Sequence, residues 1–109
     1  MTPHNLHKCA VSSLTRLAVD LRYKSSFRSK MQPSEEEHIA LRKAMEKHSE
    51  SLFAATTWAE VKEVLLGVEQ FLKYTDKILS ASALDHCCAA INAMRGVEHD
   101  FLMVAQGHP

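Results

Sequence analysis

Placed at 100° per residue, the apolar positions of this chain gather on one face through four successive stretches, each about one helix long. From Pro3 to Arg22 the shared face holds Leu6, Ala10, Val11, Leu14, Leu17, Ala18 and Leu21. The phase then slips. Lys24 and Arg28 would land on the apolar face, while Tyr23, Phe27 and Met31 would leave it. The first helix is therefore expected to bend, end or restart near Lys24-Ser25-Ser26. Pro33 then disfavours a helical residue before it, so Gln32-Pro33-Ser34 is a break.

A second helix is predicted from Glu35 to Ala55, with Leu41, Ala44, Met45, Leu52, Ala55 and His48 on its apolar face. Arg42–Glu46 and Lys47–Glu50 have the spacing of solvated pairs on the other side. A third runs from Trp58 to about Leu79. Its seam of Trp58, Val61, Leu65, Val68, Leu72, Thr75 and Leu79 alternates three- and four-residue steps. Leu66 lies opposite that seam. The fourth, Ala83 to about Ala105, is apolar on two sides. Leu84, Cys87, Ile91, Met94, Phe101, Leu102 and Ala105 face one way; Ala89, Ala90, Ala93 and Val97 face another. A helix with two apolar faces is central in a core or sits at an oligomer interface, and small alanines let a neighbouring backbone come close.

Start signals agree with this division. Ser34 with Glu37, Thr57 with Glu60 and Ser82 with Asp85 fit the capping box or its aspartate variant. Thr2-Pro3 supplies a further start, because proline suits the first helical position. Gly107 followed by Pro109 suits a helix stop. Short connections make the expected fold a small antiparallel bundle of about four helices in a single domain spanning 1–109, its first helix kinked or broken near residues 24–26.

Composition narrows the class of function. The chain has 109 residues and a formal net charge of zero, but the charge is uneven. Residues 1–32 carry six basic residues against Asp20, a net +5, and the remainder carries the balancing −5. Three cysteines, two of them adjacent, make no disulfide framework and point to a reducing cytoplasm. The longest strongly apolar run, Val64 to Val68, is too short to cross a bilayer, so no membrane association is expected.

Candidate chemistry is sparse. Asp85-His86-Cys87-Cys88 places thiols near a helix start, yet neighbouring helical residues point about 100° apart, which separates His86 from either thiol. Glu35-x-x-His38 has the letters of a bundle metal motif without the second copy such a site needs. His48 and Glu98 each fall on an apolar face, where an unpaired charge is costly, so they are expected to pair with one another, or with Arg95 or Tyr74. No cofactor and no catalytic set is expected.

The leading expectation is a non-enzymatic cytosolic regulator, adaptor or inhibitor, a class that includes accessory proteins of phages and plasmids. It would bind a larger protein, or a second copy of itself, through Leu66, Ala89, Ala90, Ala93 and Val97. The alternative is a nucleic-acid binder using Arg22, Tyr23, Lys24, Phe27, Arg28 and Lys30, in which aromatics interleave with cations as single-strand binding requires. A metal- or thiol-dependent bundle is the third reading.

Overall fold

The computed structural model describes the backbone of residues 3–105 and the side chains of residues 5–99. These residues form four α-helices: α1 (Pro3–Asp20), α2 (Glu35–Ala54), α3 (Trp58–Thr75) and α4 (Ala81–Ala105). A single 3-10 turn, Lys24–Ser26, follows α1. The expected break thus falls where the phase slips. Thr2, Gly107 and Pro109, and the side chains of Phe101, Leu102 and Ala105, lie outside the described residues.

Local chemistry sets most helix boundaries. The Ser34 hydroxyl accepts from the Glu37 N–H at 3.2 Å and starts α2. Thr57 and Glu60 form a reciprocal capping box at α3: the Thr57 hydroxyl accepts from the Glu60 N–H, and the Glu60 carboxylate accepts from the Thr57 N–H. Hydrogen bonds from the Thr57 hydroxyl, then from the Thr56 N–H, hold the Glu60 carboxyl below its usual range. The start of α4 differs from expectation. Ser80, not Ser82, accepts from the Ala83 N–H, at 3.3 Å, and Ser82 lies within the first turn. α3 also ends earlier than expected, at Thr75 rather than Leu79. The buried Thr75 hydroxyl donates to the Phe71 carbonyl at 2.7 Å.

The helices pack in the cyclic order α1–α2–α3–α4, closing through an α1–α4 contact that is the most extensive of the four. Every adjacent pair is antiparallel. His38 at the start of α2 meets Leu21 just past the end of α1. Tyr74 near the end of α3 meets Glu37 near the start of α2. Asp20 ends α1 beside His86 in the first turns of α4, while Leu6 lies against Gly96 towards the other end. The result is an up-and-down bundle with one continuous core.

Core residues follow the predicted faces with instructive exceptions. Leu14, Leu17, Leu21, Met45, Leu52, Val61, Val68, Leu79 and Met94 are among the largest fully buried side chains. Val64 and Phe71 widen the α3 seam into a broader stripe, as a helix contacting two neighbours requires. Ala44, placed on the α2 core face by its phase, is exposed. Ala90 and Val97 are fully buried. They share a stripe of α4 with His86, whose ring meets Asp20 of α1. At Gly96 an added Cβ would stand 3.1 Å from the Leu6 side chain. The small residues of α4 therefore admit α1 of the same chain. That overturns Ala90 and Val97 as surface contacts for a partner.

At one end of the bundle the two longer-range connections pair. Phe27, in the α1–α2 connection, forms an isolated antiparallel β-bridge with Leu79, in the α3–α4 connection. The Arg28 N–H donates to the Ile78 carbonyl at 2.8 Å, and the Ser80 N–H donates to the Ser26 carbonyl at 2.7 Å.

Candidate functional site

The α1–α2 connection carries the chain's densest positive charge on a hydrogen-bonded scaffold. After α1, the Arg22 and Tyr23 amides donate to Val19 and Asp20, tightening the helix end. Ser26 then closes the 3-10 turn twice over, its hydroxyl and its N–H both donating to the Tyr23 carbonyl. Phe27 turns inward, 3% exposed, and its ring meets His38 edge-on at 4.9 Å and 83°. The His38 Nε2–H donates to the Leu21 carbonyl at 2.6 Å. The Gln32 amide donates to the carbonyls of Lys24, Phe27 and Arg28 at 3.1–3.3 Å. A connection of this length is seldom regular; this one is held by side-chain caps and by the bridge to Leu79.

Inward anchoring of Phe27 leaves its neighbours facing solvent. Arg22, Lys24, Arg28 and Lys30 are all exposed, and no acidic residue lies between them. Tyr23 is 60% exposed and Met31 47%. Arg28 also braces the bridge, its Nε donating to the Leu79 carbonyl at 3.3 Å. Of the six residues expected to meet nucleic acid, the structure brings five to one solvent-facing segment. Phe27 is the correction: its ring is a core plug and cannot stack on a base.

Beside this segment lies a cleft of about 450 Å³. Arg22 and Lys24 line it from the connection, and Glu35, His38, Ile39 and Arg42 line it from α2. Arg42 Nε stands 3.6 Å from Glu46 Oε1, an ion pair too long for a hydrogen bond. It is the one buried side-chain N or O without a hydrogen-bond partner among the described residues. An unmet buried donor costs about 1–3 kcal/mol, so this guanidinium edge lacks an acceptor.

The other expected contacts disperse. Leu66 is 51% exposed, but Lys62, Glu63, Gln70 and Lys73 surround it on α3 at helical spacing, and a lone exposed leucine is ordinary on a surface. Ala89 is exposed and Ala93 half-buried. At the opposite end of the bundle Phe53 is 76% exposed, beside a shallow groove formed with His7, Lys8, Val11 and Ser12.

His48 and Glu98 do not meet. Glu98 is exposed on α4. His48 lies across α2–α3, where an added Cβ on Gly67 would stand 2.6 Å from its Cε1. Burial and then the nearby Lys47 ammonium lower the His48 pKa. The alternative partners are engaged elsewhere: Arg95 donates to Glu69 at 2.6 Å, and the Tyr74 hydroxyl donates to Glu37 at 2.7 Å. That bond to a carboxylate raises the Tyr74 pKa. Sequence reasoning missed the Asp20–His86 pair, in which the ring Nδ1–H donates to the carboxylate at 2.7 Å; only the pairing of α1 with α4 discloses it.

The thiols separate by burial. Cys9 and Cys88 are exposed. Cys87 is buried, and burial followed by its neighbour Cys88 pushes its pKa up to about 12. A thiol so protonated is a poor nucleophile, and the adjacent His86 ring is taken by Asp20. Among the described residues no three His, Cys, Asp or Glu side chains gather as metal ligands, and no helix is long and apolar enough to cross a membrane. No protein-family model, curated protein or solved structure matches this chain.

Proposed function

We propose that this protein is a small non-enzymatic regulator or adaptor that docks an acidic partner protein on the connection between α1 and α2. The observation that carries the reading is the segment 22–31. It sets four exposed cations and two exposed apolar side chains, Tyr23 and Met31, on a backbone pinned to the bundle. Interfaces favour tyrosine, methionine and arginine at their centres. A cationic patch speeds capture of an acidic surface and rejects basic ones. Preordering by the Phe27–Leu79 bridge lowers the entropy lost on docking. Three free thiols suit work in the cytosol.

The experiment compares wild type with Arg22→Glu/Lys24→Glu/Lys30→Glu in retention from native lysate, with and without nuclease, at low and high salt. A nuclease-resistant protein held by wild type, lost from the variant and released by salt is the expected result. Equal retention by the variant refutes the docking surface. Retention that disappears with nuclease transfers the segment to nucleic-acid binding, for which Tyr23 is the remaining stacking group.

A further inference from the structure

We propose that the cleft between the α1–α2 connection and the early turns of α2 binds a phosphomonoester. It stands independently of the docking reading, because a small ligand needs no partner protein. Three permanent cations line it, Arg22 and Lys24 on one wall and Arg42 on the other, against the single carboxylate of Glu35. The second observation is chemical. The Arg42 side chain is 35% exposed and makes no hydrogen bond among the described residues; its Nε is enclosed 3.6 Å from Glu46, so its terminal N–H groups are the ones a ligand can reach. A phosphoryl group in the cleft would accept from those terminal N–H groups. Guanidinium presents a planar fork that matches phosphate oxygens, and a phosphomonoester brings close to two negative charges to meet the three cations.

Size and lining decide between a bare ion and an ester. About 450 Å³ is more than inorganic phosphate needs and lies in the range of small-molecule sites, roughly 300–1,000 Å³. Ile39, 38% exposed, supplies apolar surface within the cleft for an organic body. The ester has two possible sources: a free organic phosphate or a phosphorylated side chain of a partner.

The test is titration of ¹⁵N-labelled protein with phenyl phosphate, and separately with a short phosphoserine peptide, followed by amide shifts. Saturable shifts at residues 22–24 and 35–42 are expected. Arg42→Gln should weaken binding at least tenfold. Glu35→Gln removes the opposing charge and Glu46→Gln releases the guanidinium, so each should tighten binding two- to fivefold. Lys30→Gln, outside the cleft, should change it less than twofold. Equal affinities for the two probes identify a free organic phosphate as sufficient; a peptide at least tenfold tighter identifies a phosphorylated partner. Absence of saturable shifts with both probes, or unchanged affinity in Arg42→Gln, overturns the proposal.

Discussion

Gly67 is the position where backbone propensity and tertiary packing oppose each other most directly. It sits inside α3, where alanine exceeds glycine by about 1 kcal/mol in helix propensity. Its missing Cβ is also the space that the His48 ring occupies: an added Cβ would lie 2.6, 3.1 and 3.3 Å from three ring atoms. Gly67→Ala must therefore push the half-buried ring outward. That exposes on the order of 40 Å² of carbon surface, or about 1 kcal/mol at ~25 cal/mol per Å². The two effects nearly cancel, so the single substitution should leave stability almost unchanged. In a His48→Ala background only the propensity gain remains, and the same substitution should stabilise by about 1 kcal/mol, on the order of 4 °C in Tm. The coupling energy of the cycle is then about 1 kcal/mol. Urea and thermal unfolding of the four proteins by circular dichroism measure it, with constant m as the check on two-state behaviour. A gain of about 1 kcal/mol in both backgrounds, with no coupling, would refute the contact.

Four further outcomes follow from the same geometry. Because burial lowers the His48 pKa, the unfolded chain binds the proton first as pH falls below about 6.5; stability should decline there, level off once the folded ring protonates, and lose this component in His48→Gln, as read by urea midpoints across pH. Thr57→Ala removes the hydroxyl half of the α3 capping box, leaving the backbone N–H of residue 57 to the Glu60 carboxylate, and should cost about 1 kcal/mol, while Ser82→Ala, within the first turn of α4, should cost much less in the same assay. Phe27→Ala should destabilise by about 3–5 kcal/mol, whereas Tyr23→Ala should leave Tm within experimental error; similar small effects for both would show that Phe27 is not a plug. Aromatic disulfide reagent should modify two thiols, Cys9 and Cys88, in the folded protein and the third, Cys87, only at the rate of unfolding, a count that thiol titration with and without urea provides.

How far the chain discloses its own fold depends on the range of the interaction concerned. The α2 and α3 starts depend on a hydroxyl and an amide three residues apart, and the break after α1 on a phase slip within ten residues; both are local and legible. The α4 start is also local, but Ser80 and Ser82 offer the same chemistry. What selects Ser80 is the departure of Leu79 from helical geometry to meet Phe27, 52 positions away. The alanine face of α4 has the same letters whether a second chain or α1 covers it, so periodicity alone could not assign Ala90 and Val97. His48 shows the same limit. Its polar ring on an apolar face signals a special contact, but the contact is the absence of a side chain at Gly67, not the carboxylate of Glu98. Of the candidate site, the basic residues were legible by composition. Their cleft was not, because Arg42 joins Arg22 and Lys24 only through the folded connection.

The α1–α4 pairing also sets a timetable for synthesis. α1 is complete when Asp20 is made, yet the α4 stripe that covers it ends with Val97, more than 70 residues later. At about 5–20 residues per second, that interval lasts roughly 4–15 s. During it Leu14, Leu17 and Leu21 have only α2 and α3 available as shelter. Emerging chains should thus be chaperone clients chiefly through their first helix, and the emergence of α4, rather than hairpin formation, should be the moment at which that dependence ends.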